Sequence, residues 1–182
     1  MEPWMMTRSG RKFYFNRPEN HDFNLDDIAH ALSNLCRFGG HTPIFYSVAE
    51  HSWHVAKWVE GRYDDKQMAR AALYHDAAEA YIGDIVRPLK EMHPTWKHYE
   101  DRVQRAINVK FNLIADLNKY HWTDRADNMI LRDEAEYFWS KDQIKDWSFA
   151  FPPDQKLNCR FRDWTPDQAH AAFLHYDHHL TS

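Results

Sequence analysis

The sequence predicts an all-α protein, a compact helical bundle. Apolar residues recur at helical spacing through most of the chain, cap and proline signals precede these segments, and no alternating strand pattern competes with them. A length of 182 residues with 43% hydrophobic residues is enough for a real core. We therefore expect one domain over residues 1–182, in which residues 1–24 form an aromatic N-terminal arm of irregular structure or short strands.

Helix caps and apolar faces predict six helices. They cover residues 25–38, 48–61, 64–82, 94–114, 123–139 and 165–175. Asn24 is the N-cap candidate of the first helix, and Ser47 with Glu50 forms an S-x-x-E capping box for the second. The third helix is rich in alanine and ends before Gly83. Thr165, followed by a proline, begins the last helix.

Charge and composition exclude several classes of function. The formal net charge of −4 and the pI of about 6.3 argue against nucleic acid or an anionic membrane as the main partner. No apolar run approaches the roughly 20 residues that span a bilayer, and the N-terminus lacks the apolar core of a secretory signal. We therefore expect a cytoplasmic protein. The Gly-rich motifs of dinucleotide and P-loop sites have no match in the sequence.

The third predicted helix carries an unusual group of polar side chains. His75 and Asp76 are adjacent, and Glu79 follows about one turn later within a segment of small and apolar residues. Such charges are costly inside a bundle, and a metal ion would offset that cost. His51 on the preceding helix and Asp127 on a later one could complete a mixed nitrogen and oxygen ligand set, which suits Mn, Fe, Co or Zn.

Three segments of the chain resemble a known enzyme family. They are YSVAEHSWHVA, YHDAAEAYIGDIVRPLK and ADNMILRDEAEYF, which together contain an H…HD…D pattern. Over roughly residues 25–140 the chain resembles HD-domain metal-dependent phosphohydrolases, namely the small bacterial 5′-deoxynucleotidases and the related phage dATP triphosphohydrolases. The resemblance implies an HD-type bundle that holds a divalent metal ion, with Zn, Co, Mn or Fe as candidates. It assigns as metal ligands His51, His75, Asp76 and Asp127.

The resemblance also implies catalytic and substrate-binding residues. Family members carry a Glu one turn after the HD pair and an Asp after the next Gly, which here are Glu79 and Asp84, the expected catalytic residues. Lys90 in the following Pro-x-Lys sequence is expected to bind substrate phosphate. Arg37 and Phe38 match an Arg-aromatic pair that contacts sugar or phosphate and packs near the base. Many relatives have Trp where this chain has Phe38.

Other conspicuous residues leave alternatives open. His41 lies in a flexible Gly-Gly-His loop and is expected to touch phosphate, and Arg87 is either a second phosphate ligand or an ordinary exposed arginine. Asp124 competes with Asp127 for the role of last ligand. His54 is expected to be an exposed or core histidine. For the histidines near the C-terminus, stabilisation of the helix dipole or an oligomer interface is favoured over metal binding.

The resemblance predicts an enzyme that acts on a small-molecule deoxynucleotide and forms a homo-oligomer, and the charge balance predicts no nucleic acid or membrane as partner. We expect a dATP triphosphohydrolase, which releases deoxyadenosine and triphosphate by attack of a metal-activated water, because the compact chain looks most like phage and prophage members. One alternative is a 5′-deoxynucleotidase that acts on deoxynucleoside monophosphates. Less favoured are a non-catalytic nucleotide-binding module and a ppGpp hydrolase.

Overall fold

The all-α prediction is confirmed by the computed structural model, which describes residues 2–113 and 117–182, with 117–120 described by their backbone alone. The described chain contains a two-stranded antiparallel sheet of β1 (Trp4–Met6) and β2 (Lys12–Tyr14). Its helices are α1 (Leu25–Asn34), α2 (Val48–Tyr63), α3 (Lys66–Leu73), α4 (Glu79–Ile82), α5 (Arg87–Met92), α6 (Pro94–Lys110), α7 (Leu117–Phe138) and α8 (Pro166–Thr181). Within these ranges, every helix is too short or too polar to cross a bilayer.

Helix α2 lies at the centre of the bundle. It packs against α1, α3, α7 and α8, and α8 also packs against α1 and α3. The valines expected on one face of this helix, Val48, Val55 and Val59, are all fully buried. Burying a valine side chain contributes about 1.5–3 kcal/mol. The centre of the molecule is therefore a rigid element, on which a functional group can be held in a fixed position.

The N-terminal arm forms short strands, one of the two expected alternatives. Trp4 pairs with Tyr14 at one end of the β1–β2 ladder. Phe13 on β2 is fully buried, and its ring lies 4.7 Å from that of Tyr81 and 6.3 Å from that of Phe23. The arm therefore belongs to the apolar core.

The first helix ends at Asn34, four residues earlier than predicted. The chain turns into an extended bridge between Cys36 and Ser47, and the Arg37 N–H donates to the Tyr46 carbonyl at 2.9 Å. A tight turn follows over Arg37–Gly40, in which Phe38 has a φ of 55°. A right-handed helix cannot continue through such a residue.

The third predicted helix, over residues 64–82, is interrupted and becomes α3 and α4. Between them the side-chain amide of Gln104 on α6 enters the hydrogen-bond ladder. Its oxygen accepts from the Ala78 N–H at 3.0 Å, and its nitrogen donates to the Tyr74 carbonyl at 2.7 Å. An inserted side chain of this kind opens a helix. The predicted end of the segment is confirmed, because Gly83 closes α4 with a φ of 84°.

The remaining helices differ from their predicted bounds at the ends. Helix α7 begins at Leu117 rather than Thr123, and α8 continues to Thr181. Helix α6 ends at Lys110, four residues before its predicted end. The sequence also missed α5, because six residues are too few to show an apolar period.

Glu50 connects α2 to the loop before α8. Half of the predicted capping box forms, since the Ser47 hydroxyl accepts from the Glu50 N–H at 3.1 Å. The fully buried Glu50 carboxylate instead accepts the backbone N–H groups of Arg162 at 2.7 Å and Trp164 at 3.0 Å. It thereby fixes the chain that leads into α8.

We expect Glu50→Ala to lower the free energy of unfolding by about 2–4 kcal/mol, because two backbone donors lose a buried charged acceptor. Glu50→Gln keeps one acceptor oxygen and is expected to lose about half as much. Urea denaturation of both variants measures the difference. Equal stability of wild type and Glu50→Ala would contradict this role.

Candidate metal centre

The four residues assigned as metal ligands converge at one place in the bundle. His51 lies on α2, His75 and Asp76 lie in the opening between α3 and α4, and Asp127 lies on α7. One ligand atom from each of His51, His75 and Asp76 falls in a group whose members are all within 4.8 Å of one another. Asp127 Oδ1 lies 3.1 Å from His51 Nε2 and 3.9 Å from His75 Nε2.

Outer hydrogen bonds set the tautomer of both imidazoles. His51 Nδ1 lies 2.7 Å from a carboxylate oxygen of Glu134, and His75 Nδ1 lies 2.8 Å from the Ala72 carbonyl. Since both partners can only accept, each Nδ1 carries the hydrogen. The two Nε2 atoms then face each other at 3.3 Å with their lone pairs. This arrangement is repulsive unless one Nε2 is protonated or a metal ion lies between the rings.

Neighbouring charges also favour a cation in this cluster. Burial opposes a charge on His75, but Asp76 and Asp127 raise its pKa to about 9. Burial opposes ionisation of Asp76, but His75, His51 and Arg37 lower its pKa. At neutral pH either a proton or a metal ion is therefore favoured among these donors.

The structure places Asp127, rather than its competitor Asp124, against His51. Asp124 is exposed on α7 and lines the neighbouring cavity. The second oxygen of Asp127 accepts from Arg87 at 3.1 Å, and Arg87 also donates to Asn128 at 2.7 Å. Arg87 is therefore directed at the cluster although half of its side chain is exposed.

Glu79, expected to be catalytic, is the first residue of α4 and is almost fully buried. Its Oε1 accepts from Lys90 at 2.9 Å, while its buried Oε2 accepts no hydrogen bond from any residue that the structure describes. Burial, together with Asp76 and Asp84, raises the pKa of Glu79, although Lys90 lowers it. A carboxyl group with one free oxygen and a raised pKa suits a proton acceptor.

The other residues expected near the substrate lie in different settings. Lys90 also donates to Glu100 at 2.7 Å, so its ammonium is shared by two carboxylates. Asp84 follows Gly83, and burial raises its pKa. The charge of Asp76 also raises the pKa of Asp84, whereas Arg37 and Lys90 lower it. Its catalytic role stays a prediction.

Arg37 reaches the cluster, whereas Phe38 packs against aromatic rings and His41 is exposed. Arg37 Nη1 lies 3.8 Å from Asp76 Oδ2. The centroids of the Phe38 and Trp139 rings lie 5.1 Å apart. The Arg37 guanidinium lies 5.4 Å from the centroid of the Phe38 ring. His41 is exposed, and among the described residues no hydrogen bond or ion pair joins its imidazole to the cluster. Its contact with phosphate stays a prediction.

Sequence reasoning missed Glu134, which holds His51. This residue is fully buried on α7, seven positions after Asp127. Two helical turns separate the two acids, so they share one face of the helix. That spacing was visible in the sequence, but it did not distinguish Glu134 from the neighbouring acids of the same helix.

Two of the remaining histidines have structural partners. His54 is buried beside Phe161, with ring centroids 5.3 Å apart, so of the two alternatives it is a core histidine and not an exposed one. His179 near the C-terminus lies 2.6 Å from Glu60 and stacks on Tyr176. It thereby connects α8 to α2.

A cavity of about 510 Å³ opens beside the cluster, and it is lined by His75, Asp76 and residues of α5, α6 and α7. Its volume is typical of small-molecule sites. The described lining contains six carboxylates but three cations, Arg87, Lys90 and Lys97. An anionic substrate would therefore be repelled unless a divalent cation offset the carboxylates. The donor set of imidazole and carboxylate groups fits such an ion.

A helical bundle with two histidines and two aspartates at a cavity defines the class of HD-type phosphohydrolases. The family model of the YfbR-like 5′-deoxynucleotidases matches residues 28–144, which is more than half of the chain. The protein therefore belongs to the YfbR-like 5′-deoxynucleotidase family, a family of HD-superfamily phosphohydrolases.

Two relatives show how far the similarity extends. The uncharacterized protein YfdR of Escherichia coli (strain K12) is 40% identical over 110 residues, which cover 60% of this chain and 59% of YfdR. An uncharacterized protein of Rhodobacter capsulatus is 30% identical over 186 residues, with 97% of this chain and 95% of the relative covered. The match thus spans about three fifths of YfdR and almost all of the second relative.

We expect Mn²⁺, Co²⁺ or Zn²⁺ to raise the melting temperature of the protein, because a divalent ion binds the converging donors of the folded state only. At a concentration 100 times the Kd, binding adds about 2.7 kcal/mol to the free energy of unfolding. Asp76→Asn is expected to abolish the shift in differential scanning fluorimetry.

Asp124→Asn is the matched control, and it is expected to keep the shift. Loss of the shift in this variant together with its retention in Asp127→Asn would instead identify Asp124 as the last ligand.

Proposed function

We propose that the protein is a metal-dependent deoxynucleotide phosphohydrolase, in the first place a 5′-deoxynucleotidase. The observation that carries this proposal is the convergence of two imidazole nitrogens and two carboxylates beside a buried carboxylate, Glu79, with one free oxygen. The family supports the reaction class. We propose as metal ligands His51, His75, Asp76 and Asp127.

The chain's own residues account for water activation and phosphate binding. A bound divalent ion would supply a Lewis acid for the phosphoryl oxygens. Glu79 Oε2 accepts a proton from the attacking water, while Lys90 holds Oε1 and keeps the carboxylate in position. Asp84, in the loop after α4, is proposed to orient the same water. This division of roles is supported by the raised pKa of both carboxyl groups.

Arg37 and Lys90 neutralise the charge that develops on the phosphate. Arg37 is largely buried and always charged, and its guanidinium can donate to a phosphate oxygen. Lys90 is shared between Glu79 and Glu100, so a substrate phosphate competes with these carboxylates for its ammonium. Phe38 provides an aromatic edge for the sugar or base.

A dATP triphosphohydrolase is the second candidate. One observation favours it: Arg87 and Lys97 line the cavity in addition to Lys90, and three cations suit more than one phosphate group. In this reaction the same residues would act at the α-phosphorus. The cytoplasmic location and the homo-oligomer expected from the sequence stay predictions.

We expect the purified protein, loaded with Mn²⁺, Co²⁺ or Zn²⁺, to release inorganic phosphate from deoxynucleoside monophosphates. Chromatography of the products from a panel of deoxynucleotides and ribonucleotides tests this. Deoxyadenosine and triphosphate formed from dATP would instead establish the second candidate. A metal-loaded protein that binds nucleotides without turnover would contradict both and indicate a binding module.

We expect Glu79→Gln to lower kcat at least 100-fold, which is the scale on which a positioned acid or base contributes. The metal-induced thermal shift should remain, because Glu79 is not one of the proposed ligands. Glu100→Gln is the matched control, since it removes the other carboxylate partner of Lys90. Similar losses in the two variants would contradict the catalytic role of Glu79.

A further inference from the structure

The Glu134 carboxylate on α7 binds side chains of residues 37–51, which are far from it in the sequence. It is fully buried, and one of its oxygens lies 2.7 Å from His51 Nδ1 and accepts from the Tyr46 hydroxyl at 2.9 Å. Its other oxygen accepts from Arg37 Nη2 at 3.1 Å. Three donors from two other segments therefore meet on one side chain of α7.

The first oxygen of Glu134 determines how His51 can act. Because a carboxylate only accepts, it keeps the hydrogen on Nδ1 and turns the lone pair of Nε2 towards His75 and Asp127. A carboxylate on the far nitrogen also makes an imidazole a stronger metal ligand. His75 has a backbone carbonyl in the same position, which lacks a full negative charge.

The second oxygen of Glu134 holds the guanidinium of Arg37. The attraction of Glu134 offsets the cost of burying this charge, and it keeps the pKa of Arg37 above its usual range. Arg37 Nη1 then lies 3.8 Å from Asp76, and its buried Nε has no hydrogen-bond partner among the residues described. The side chain is thus held beside the proposed ligands.

We propose that Glu134 is a positioning residue that sets both the metal affinity of His51 and the orientation of Arg37 towards phosphate. This inference rests on the proposed function. Asp127 and Glu134 share one face of α7, so a single helix supplies a proposed ligand and the residue that positions its partners. Loss of Glu134 therefore weakens metal binding and substrate binding together.

Glu134→Gln tests the proposal, because an amide has one acceptor oxygen and cannot serve His51 and Arg37 at the same time. Titration with Co²⁺ alone is expected to give a Kd about 10–100 times weaker than that of wild type, with an altered visible absorption spectrum of the bound Co²⁺. At saturating Co²⁺ the KM for the nucleotide is expected to rise. This rise should vanish when Arg37→Ala is already present, because Glu134 then has no guanidinium to hold.

Glu50→Gln is the matched structural control, since Glu50 is equally buried but binds backbone N–H groups away from the cluster. It is expected to lower Tm while the Co²⁺ affinity and spectrum stay as in wild type. If Glu134→Gln does not fold, Glu134→Asp keeps the charge and withdraws the carboxylate by one carbon. It is expected to weaken Co²⁺ binding relative to wild type, because the shorter side chain cannot keep its contacts with His51 and Arg37 at the same time.

Wild-type Co²⁺ affinity in a folded Glu134 variant would overturn the proposal, and so would an equal loss of affinity in Glu50→Gln. The Co²⁺ titration needs no nucleotide, so it still reports on Glu134 if the wild type binds Co²⁺ but hydrolyses no nucleotide. That result would overturn the proposed function alone. A wild type that binds no Co²⁺, Mn²⁺ or Zn²⁺ would overturn both.

Discussion

Two imidazole nitrogens that face each other at 3.3 Å are the constraint on which the rest of the site depends. Without a proton or a metal ion between them their lone pairs would repel each other, and the carboxylates of Asp76 and Asp127 add negative charge beside them. This geometry persists because hydrogen bonds hold the far side of each ring. A cation between the rings is attracted by all these groups, so the folded protein contains a buried site that favours a cation.

The bundle provides the support that this constraint requires. His51 is fully buried on α2. His75 and Asp76 lie in the interruption that follows α3. An interruption leaves backbone groups without helical partners, and the Gln104 amide satisfies one donor and one acceptor there. The site is therefore built from regular elements and one opened turn, and α6 stabilises the open form.

Ion pairs between cationic and acidic side chains join the elements around the cavity. Arg87 binds the outer oxygen of Asp127, and Lys90 bridges Glu79 and Glu100. A metal ion and an anionic substrate would each compete for groups that already have partners. A ligand that cannot replace the hydrogen bonds and ion pairs that it displaces therefore binds weakly, which favours ligands of matching charge and shape.

The sequence by itself determined the fold class, most helix caps, the HD pair and the family, since these depend on local spacing and on motifs of contiguous residues. Tertiary structure alone decided the break at residues 74–78 and the contacts of Asp127 with His51 and Arg87. The same holds for the role of Glu134, which lies 83 positions from His51 and 97 from Arg37. The physical reason is that a local pattern sets helical period and caps, whereas a buried charge is satisfied by whichever distant groups the packing brings within hydrogen-bond distance.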